Sequence, residues 1–328
     1  MRVFLTGGTG LLGSHLAQEL RAYGHEVVAL HRRGADTLVL EEHECQLVEG
    51  DIRDEPEALA SLMEGCSHVA HAAALVYHGS AWPKVRAVNV DGTRNVLTAA
   101  RLAGVGHAVH LSSVAVYGTV PGPVNERTPT DAPLAPGDLY ARSKREAEHV
   151  ARGIEEKRGF PVTILRPAAV YGERDRLMAP ALRKLLGLPL VPLFGPGLNA
   201  LPVVYAGNVA AATRLALEAG RGGTTYDIGL DHPLRQRDLL QWLADGLGLK
   251  PRFVALPAPM VRAAGSALAR LGVRTPGARH LPIDRFTHLA LSENPYPSVL
   301  VRSELGWRPP FEHRAALERT GRWLALHA

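Results

Sequence analysis

Tyr140-Ala141-Arg142-Ser143-Lys144 sets a phenol and an amine four residues apart. On a helix that spacing puts both side chains on one face. An ammonium beside a phenol favours the phenolate and draws its pKa down from about 10. Tyr140 could then pass a proton to or from a substrate oxygen near neutral pH. Lys144 could also hold a ribose hydroxyl. A surface Tyr–Lys pair would be spelled the same way. Upstream, Leu111-Ser112-Ser113 closes an apolar run. Hydroxyls at the carboxyl end of a strand stand where ligands bind in open sheets, although strand-end polarity alone would also place serines there.

A second constellation lies near the start. In Thr6-Gly7-Gly8-Thr9-Gly10-Leu11-Leu12-Gly13 the glycines at 7, 10 and 13 recur every three residues. The first allows a tight turn, the second lets backbone approach a pyrophosphate, and the third lets a helix pack on the sheet. Leu11 and Leu12 then open that helix, whose free N–H groups and dipole favour an anion. An ordinary glycine-rich turn is the alternative, and the strand–turn–helix setting favours the dinucleotide reading. Past the next strand, NAD binders usually place an acid for the ribose. Here the residues are Leu30-His31-Arg32-Arg33. A guanidinium fork matches phosphate oxygens, and one charged hydrogen bond is worth roughly 1.5–3 kcal/mol, about 10- to 100-fold in affinity. Arg32 and Arg33 therefore point to NADP over NAD, unless they are merely two solvated arginines. In Gly50-Asp51-Ile52, Asp51 could accept from the adenine amino group while Ile52 covers the ring. Asp51 or Asp54 could equally cap the next helix.

Positioning these groups requires a sheet. Val3 to Thr6, Glu26 to Leu30, Cys45 to Glu49, His68 to Ala72, His107 to Ser112 and Val162 to Arg166 read as strands. Leu11 to Tyr23, Pro56 to Met63, Trp82 to Leu102 and Gly137 to Lys157 read as helices between them. The alternation predicts an α/β fold, a Rossmann-type doubly wound parallel sheet. After about residue 172 the pattern loosens, and Leu188 to Gly197 reads as a loop. Val203 to Tyr205 and Thr224 to Ile228 are short strand candidates around a helix from Asn208 to Ala219. The division expected is residues 1–172, with 201–230 returning, as a dinucleotide-binding domain. Residues 173–200 and 231–328 would form a smaller substrate lobe. In that lobe Pro257 to Gly272 reads as a helix with one apolar side flanked by Arg262 and Arg270. It could cover the substrate pocket or rest on a membrane.

Composition narrows the function classes. The 328 residues are 46% hydrophobic and 21% charged, which excludes a disordered chain. The formal charge of +5 is small and its basic residues are dispersed, so nucleic acid is not an expected partner. Cys45 and Cys66 form no CxxC pair, which argues against a disulfide scaffold or a cysteine zinc site. The histidines show no ligand spacing, and no metal is expected. No apolar run reaches about 18 residues, so no membrane span is expected. A strand from Arg2 leaves no room for a signal peptide. The expectation is a cytoplasmic enzyme.

Taken in order, TGGTGLLG from Thr6, GDI from Gly50, HAAA from His71, NVDGT from Asn89, LSSVAVYG from Leu111, YARSK from Tyr140 and RPAAVYG from Arg166 carry a resemblance. The chain resembles an extended short-chain dehydrogenase/reductase of the NAD-dependent epimerase/dehydratase superfamily over roughly its first 170 residues. The resemblance implies that Tyr140 is the acid/base, Lys144 its activator and, aligned on Tyr117-Gly118, Ser113 the substrate-orienting hydroxyl. It implies that Ala72 and Ala73 line the cofactor and that Asn89 sits behind it, unless Asn89 is simply a satisfied helix residue. It implies that Pro167 and Ala168 pass the nicotinamide carboxamide, and that helices from 81–102 and around Tyr140 form a homodimer bundle.

Departures from the family narrow the chemistry. Sugar-nucleotide dehydratases carry an Asp-Glu pair where Val114 and Ala115 stand. Many nucleotide-sugar epimerases have Asn at Ala169 and a diphosphate-binding Arg near Leu201-Pro202-Val203, a role that Arg183, Arg235 or Arg237 could take. Tyr205-Ala206-Gly207-Asn208-Val209 resembles the hydroxysteroid dehydrogenase branch, and Arg32 the dihydroflavonol reductase branch. Ala74, Leu75, Val76, Val114 and Ala168 would make an apolar pocket. The expected activity is hydride transfer between NADP and a lipophilic small-molecule carbonyl or secondary alcohol. A nucleotide-sugar epimerase with tightly bound NAD is the alternative, and a non-catalytic NAD(P) sensor a third reading.

Overall fold

The computed structural model describes residues 1–76, 81–120, 122–275, 278–282, 291 and 295–327. Val3, Phe4 and Leu5 in β1 (Arg2–Thr6) are all fully buried. A strand apolar on both faces needs helices on both sides, which is how parallel sheets are covered. The other strands of the main sheet are β2 (Glu26–His31), β3 (Gln46–Glu49), β4 (His68–His71), β5 (His107–Leu111), β6 (Val162–Pro167) and β10 (Thr225–Ile228). All pair in parallel, in the order β10-β6-β5-β4-β1-β2-β3. The order reverses between β1 and β4, which opens a crevice at the carboxyl ends of the strands.

Helices α1 (Leu11–Ala22) and α8 (Ala206–Ala219) lie together. Leu16, Leu20, Val109, Leu165 and Tyr226 belong to the core on their face of the sheet. Helices α3 (Pro56–Leu62), α5 (Gly92–Leu102) and α6 (Leu139–Arg158) stand with a second core that contains Leu59, Val69, Leu97, Ala151 and Ile164. A short α2 (Leu38–Glu42) precedes β3. The helix expected over Trp82 to Leu102 is helical throughout but not uniform. Between α4 (Trp82–Arg86) and α5 a π-turn spans Ala87–Asp91. One wide turn inside a helix displaces a side chain from its regular position, and such turns cluster at functional sites. Asn89 sits in it.

Beyond β6 the elements are short: β7 (Ala169–Tyr171), α7 (Met178–Leu186), β8 (Val191–Phe194), β9 (Val203–Tyr205), α9 (Gln236–Leu247), β11 (Phe253–Leu256), α10 (Ala258–Arg270), α11 (Val299–Leu305) and α12 (His313–Leu326). The stretch expected as a loop from Leu188 to Gly197 contains β8, which pairs in parallel with β11. Its prolines suggested a loop, but a two-stranded ribbon tolerates proline where no ladder donor is needed. Val191 and Leu193 are buried on alternate positions. Helices α9 and α12 cross closely: a Cβ on Gly321 would lie 2.6 Å from the Leu243 carbonyl oxygen. Among the described residues, no helix is long and apolar enough to cross a membrane.

Candidate active site

The glycine loop is closed to side chains. Gly7 has φ +75°, and a Cβ on it would stand 2.6 Å from the Ala73 nitrogen and 2.8 Å from the Ala72 carbonyl carbon. A Cβ on Gly13 would overlap the Gly7 carbonyl oxygen. The Gly10 nitrogen donates to the Gly7 carbonyl at 3.0 Å. Gly10 caps α1 without a side chain, and the twelve-residue helix carries no acid in its first turn. This cradle of backbone, placed at the switch point, fits a dinucleotide pyrophosphate. Thr6 Oγ1 lies 2.7 Å from His71 Nδ1 and accepts from the Ala73 nitrogen at 3.3 Å. His71 Nε2 lies 3.0 Å from Thr93 Oγ1. Burial pushes the His71 pKa down to about 3, so the ring is a neutral strut between β1, β4 and α5.

Arg32 and Arg33 are exposed after β2. They border a cleft of about 600 Å³ that also meets Gly34, Glu49, Asp51 and Arg53. Asp51 lies in that cleft, but its carboxylate is engaged: Oδ1 accepts from Arg53 Nε at 3.0 Å and Oδ2 from Arg53 Nη2 at 2.7 Å. That pairing holds the Asp51 carboxyl below the usual carboxylate range. Ile52 is buried against Gly92 of α5, which a Cβ there would meet at 2.8 Å. Neither Asp51 nor Asp54 caps α3; its N-cap is Glu55.

On α6, Asp138 caps the first turn by accepting from the Ala141 nitrogen at 3.0 Å. Lys144 is buried and donates to the Leu111 carbonyl at 2.6 Å, which ties α6 to the end of β5. Its Nζ stands 6.0 Å from the centre of the Tyr140 ring. Burial draws the Lys144 pKa down to about 8, and the charge of Glu148 one turn further opposes that fall. Ser113 is the N-cap of a 3₁₀ turn, Val114–Tyr117, and its Oγ accepts from the Ala115 nitrogen at 3.2 Å. Ser112 is buried instead, and among the described residues its Oγ has no hydrogen-bond partner. Asn89 donates to Ser143 Oγ at 2.8 Å and to the Leu75 carbonyl at 3.0 Å, and accepts from the Leu75 nitrogen at 2.7 Å. It therefore fastens the segment after β4 to α6, as a positioning residue. Pro167 ends β6, and Ala168 is buried with its nitrogen on the Ile228 carbonyl.

The model of the NAD dependent epimerase/dehydratase family matches residues 3–229. The chain belongs to that family. It is an enzyme of the extended short-chain dehydrogenase/reductase superfamily, whose members use NAD or NADP. Sterol demethylase protein B of Methylococcus capsulatus is 33% identical over 78% of this chain and 78% of its own. A 4-hydroxy-2-methyl-3-oxo-4-farnesyl-3,4-dihydroquinoline-1-oxide ketoreductase of Stigmatella aurantiaca is 30% identical over 97% of this chain and 95% of its own. The solved structure of DesIV, a dTDP-glucose 4,6-dehydratase from Streptomyces venezuelae with NAD and TYD bound, superposes with a TM-score of 0.74. It is 29% identical and covers 98% of this chain and 96% of that one.

In this epimerase/dehydratase family member, a buried polar network extends behind the site. Arg166 grips Glu148 through Nε at 2.8 Å and Nη2 at 2.6 Å, and donates from Nη1 to Tyr117 Oη at 2.8 Å. Tyr117 Oη donates to Asp227 Oδ2 at 2.7 Å. Burial pushes the Asp227 pKa up to about 7. In the sequence Tyr117 served to align Ser113, and Glu148 and Asp227 were missed. Glu148 had a signal, four residues after Lys144 on one helix; Asp227 had none, because β10 joins β6 from a distant part of the chain. Arg183 and Arg237, which could have clamped a diphosphate, are engaged elsewhere. Arg183 donates to the Leu324 carbonyl at 3.2 Å, and Arg237 lies 5.9 Å from the Phe253 ring centre.

Proposed function

We propose that the protein is an NADP-dependent oxidoreductase acting on a lipophilic ketone, aldehyde or secondary alcohol. The observation that carries this reading is the make-up of the site around Ser113, Tyr140 and Lys144. Val114 and Ala115 follow Ser113 directly, so no carboxylate pair stands there to drive loss of water, and Ala168 and Ala169 follow the end of β6. The relatives' names, a sterol demethylase protein and a farnesylated quinoline ketoreductase, describe enzymes of greasy molecules and support the substrate class. Arg32 and Arg33 on the open cleft support NADP.

In this mechanism Gly7, Gly10, Leu11, Leu12 and Gly13 hold the pyrophosphate, and Arg32 and Arg33 the 2′-phosphate. Asp51, Ile52, Ala72, Ala73, Asn89, Pro167 and Ala168 shape the rest of the cofactor site. The bound nicotinamide supplies or accepts the hydride. Ser113 donates to the substrate oxygen and orients it. Tyr140 gives that oxygen a proton in reduction and removes it in oxidation. Lys144, anchored by Leu111, keeps positive charge beside the phenol. Residues 173–200 and 231–328 form the substrate lobe of the same proposal. A cytoplasmic homodimer built on α5 and α6 completes it. The outer groove between those helices carries Arg94, Arg101, His149, Lys157 and Arg158, so such a dimer needs counter-ions and strengthens with salt.

The test is loss of reduced-nicotinamide absorbance with a panel of lipophilic ketones and aldehydes, NADH and UDP-sugars running in parallel. NADPH oxidation with a carbonyl is expected. Arg32→Ala with Arg33→Ala should raise the KM for NADPH by about 10- to 100-fold per lost contact and leave NADH use unchanged. Turnover of UDP-sugars without net oxidation, or an unchanged KM in the double variant, overturns the reading.

A further inference from the structure

Helix α10 is held to the molecule by a narrow stripe. Of its thirteen residues only Val261 and Gly265 are buried. A surface helix ordinarily turns its remaining faces, polar and charged, to water. This one does not. Met260 is 63% exposed, Leu268 39% and, just past the end, Leu271 78%. At 100° per residue these three fall with Ala264 and Ala267 inside a sector of about 100°. The sector adjoins the buried stripe along one side. Arg262, Ser266 and Arg270 occupy the opposite flank, and all three are exposed.

The charge around this stripe is one-sided. From Gly246 to Pro282 the sequence contains no Asp or Glu. It contains Lys250, Arg252, Arg262 and Arg270, all exposed. An apolar sector on a helix whose charged residues are all cations, carried on the opposite flank, matches the boundary between anionic headgroups and acyl chains. It matches a second copy of itself poorly, because pairing would press two carboxylate-free cationic segments together.

We infer that α10 docks this protein on the surface of a bilayer that contains anionic lipid. Met260, Leu268 and Leu271 enter the headgroup–acyl boundary, and Arg262 and Arg270 meet the headgroups. The inference does not rest on the proposed reaction, since it needs neither the cofactor nor a particular substrate.

The test is co-flotation of the full chain with phosphatidylcholine vesicles, with and without one quarter phosphatidylserine. The protein should float with the anionic vesicles and far less with the neutral ones. Met260→Ser, Leu268→Ser and Leu271→Ser together should cut the bound fraction at least about tenfold. Arg262→Glu with Arg270→Glu should cut it roughly twentyfold or more on anionic vesicles. All replaced side chains are exposed, and an unchanged melting temperature and NADPH affinity in each variant verify that the fold survives. No flotation on either vesicle overturns the inference, as does equal flotation of the triple variant. So does light scattering that finds a dimer for the parent and a monomer for the triple variant, which would make the stripe a contact between copies.

Discussion

The Lys144 ammonium is buried and donates to the Leu111 carbonyl. Its pKa of about 8 means that the charge supporting Tyr140 is lost as pH rises through that value. The rate of carbonyl reduction should therefore fall on the alkaline side of about pH 8. Lys144→Met should lose about 10²-fold or more in kcat and lose that alkaline limb, read from a pH–rate profile. The linkage to stability has the opposite sense. Below about pH 8 the lysine is charged in folded and unfolded chains alike, so the cost of burying it is fully present. That cost is relieved as pH rises from there towards the ordinary value of 10.5. Tyr140 and Lys144 were legible in the sequence because four residues on one helix is a local relation. Asn89 was legible as a helix residue, but its partners Leu75 and Ser143 lie on two other segments and left no trace in spacing.

At the scale of elements, the β1–α1 turn and the end of β4 fit without clearance. Gly7→Ala would require a Cβ within 2.6 Å of backbone at a positive φ, and backbone cannot swing aside as a side chain can. We expect Gly7→Ala to weaken NADPH binding at least about tenfold and to lower the unfolding midpoint, both readable by titration calorimetry and thermal melts. The strands and helices up to β6 were legible because apolar runs and amphipathic helices alternate there. Of the later elements, β9, β10, α8 and α10 were read as well, whereas the others were not. Strand β8 is four residues long with a proline inside, and α9 and α12 take their burial from each other. Their stripes become meaningful only once the partner helix is known. The π-turn at Ala87–Asp91 also left no signal, since one extra residue in a helical turn is invisible to a period of 3.6.

At the scale of the whole molecule, Asp231 is the joint between β9, α8 and the C-terminal helix α12. Its fully buried carboxyl accepts from the Tyr205 nitrogen at 3.1 Å, Asn208 Nδ2 at 2.8 Å and the His232 nitrogen at 2.9 Å, and meets His313 Nε2 at 3.0 Å. Asn208 also donates to the Phe311 carbonyl and accepts from the Phe311 nitrogen. A carboxylate at 208 could donate to neither acceptor, which gives a physical reason for Asn where the family more often has Asp. Asp231→Ala would strand these donors without water. We expect a loss of about 3–5 kcal/mol in urea unfolding, more than any single substitution on the surface of α10.

The crossing of α9 and α12 at Gly246 and Gly321 bears on how the chain is born. A ribosome delivers β1 to β6 long before residue 313 exists, so the nucleotide-binding sheet can begin to form while synthesis continues. The third apolar cluster cannot. It needs Leu317 and Leu324 from α12 beside Leu239 and Leu243 from α9 and Tyr171 from β7. Until α12 leaves the exit tunnel, those side chains have no covering and are the ones a chaperone would find.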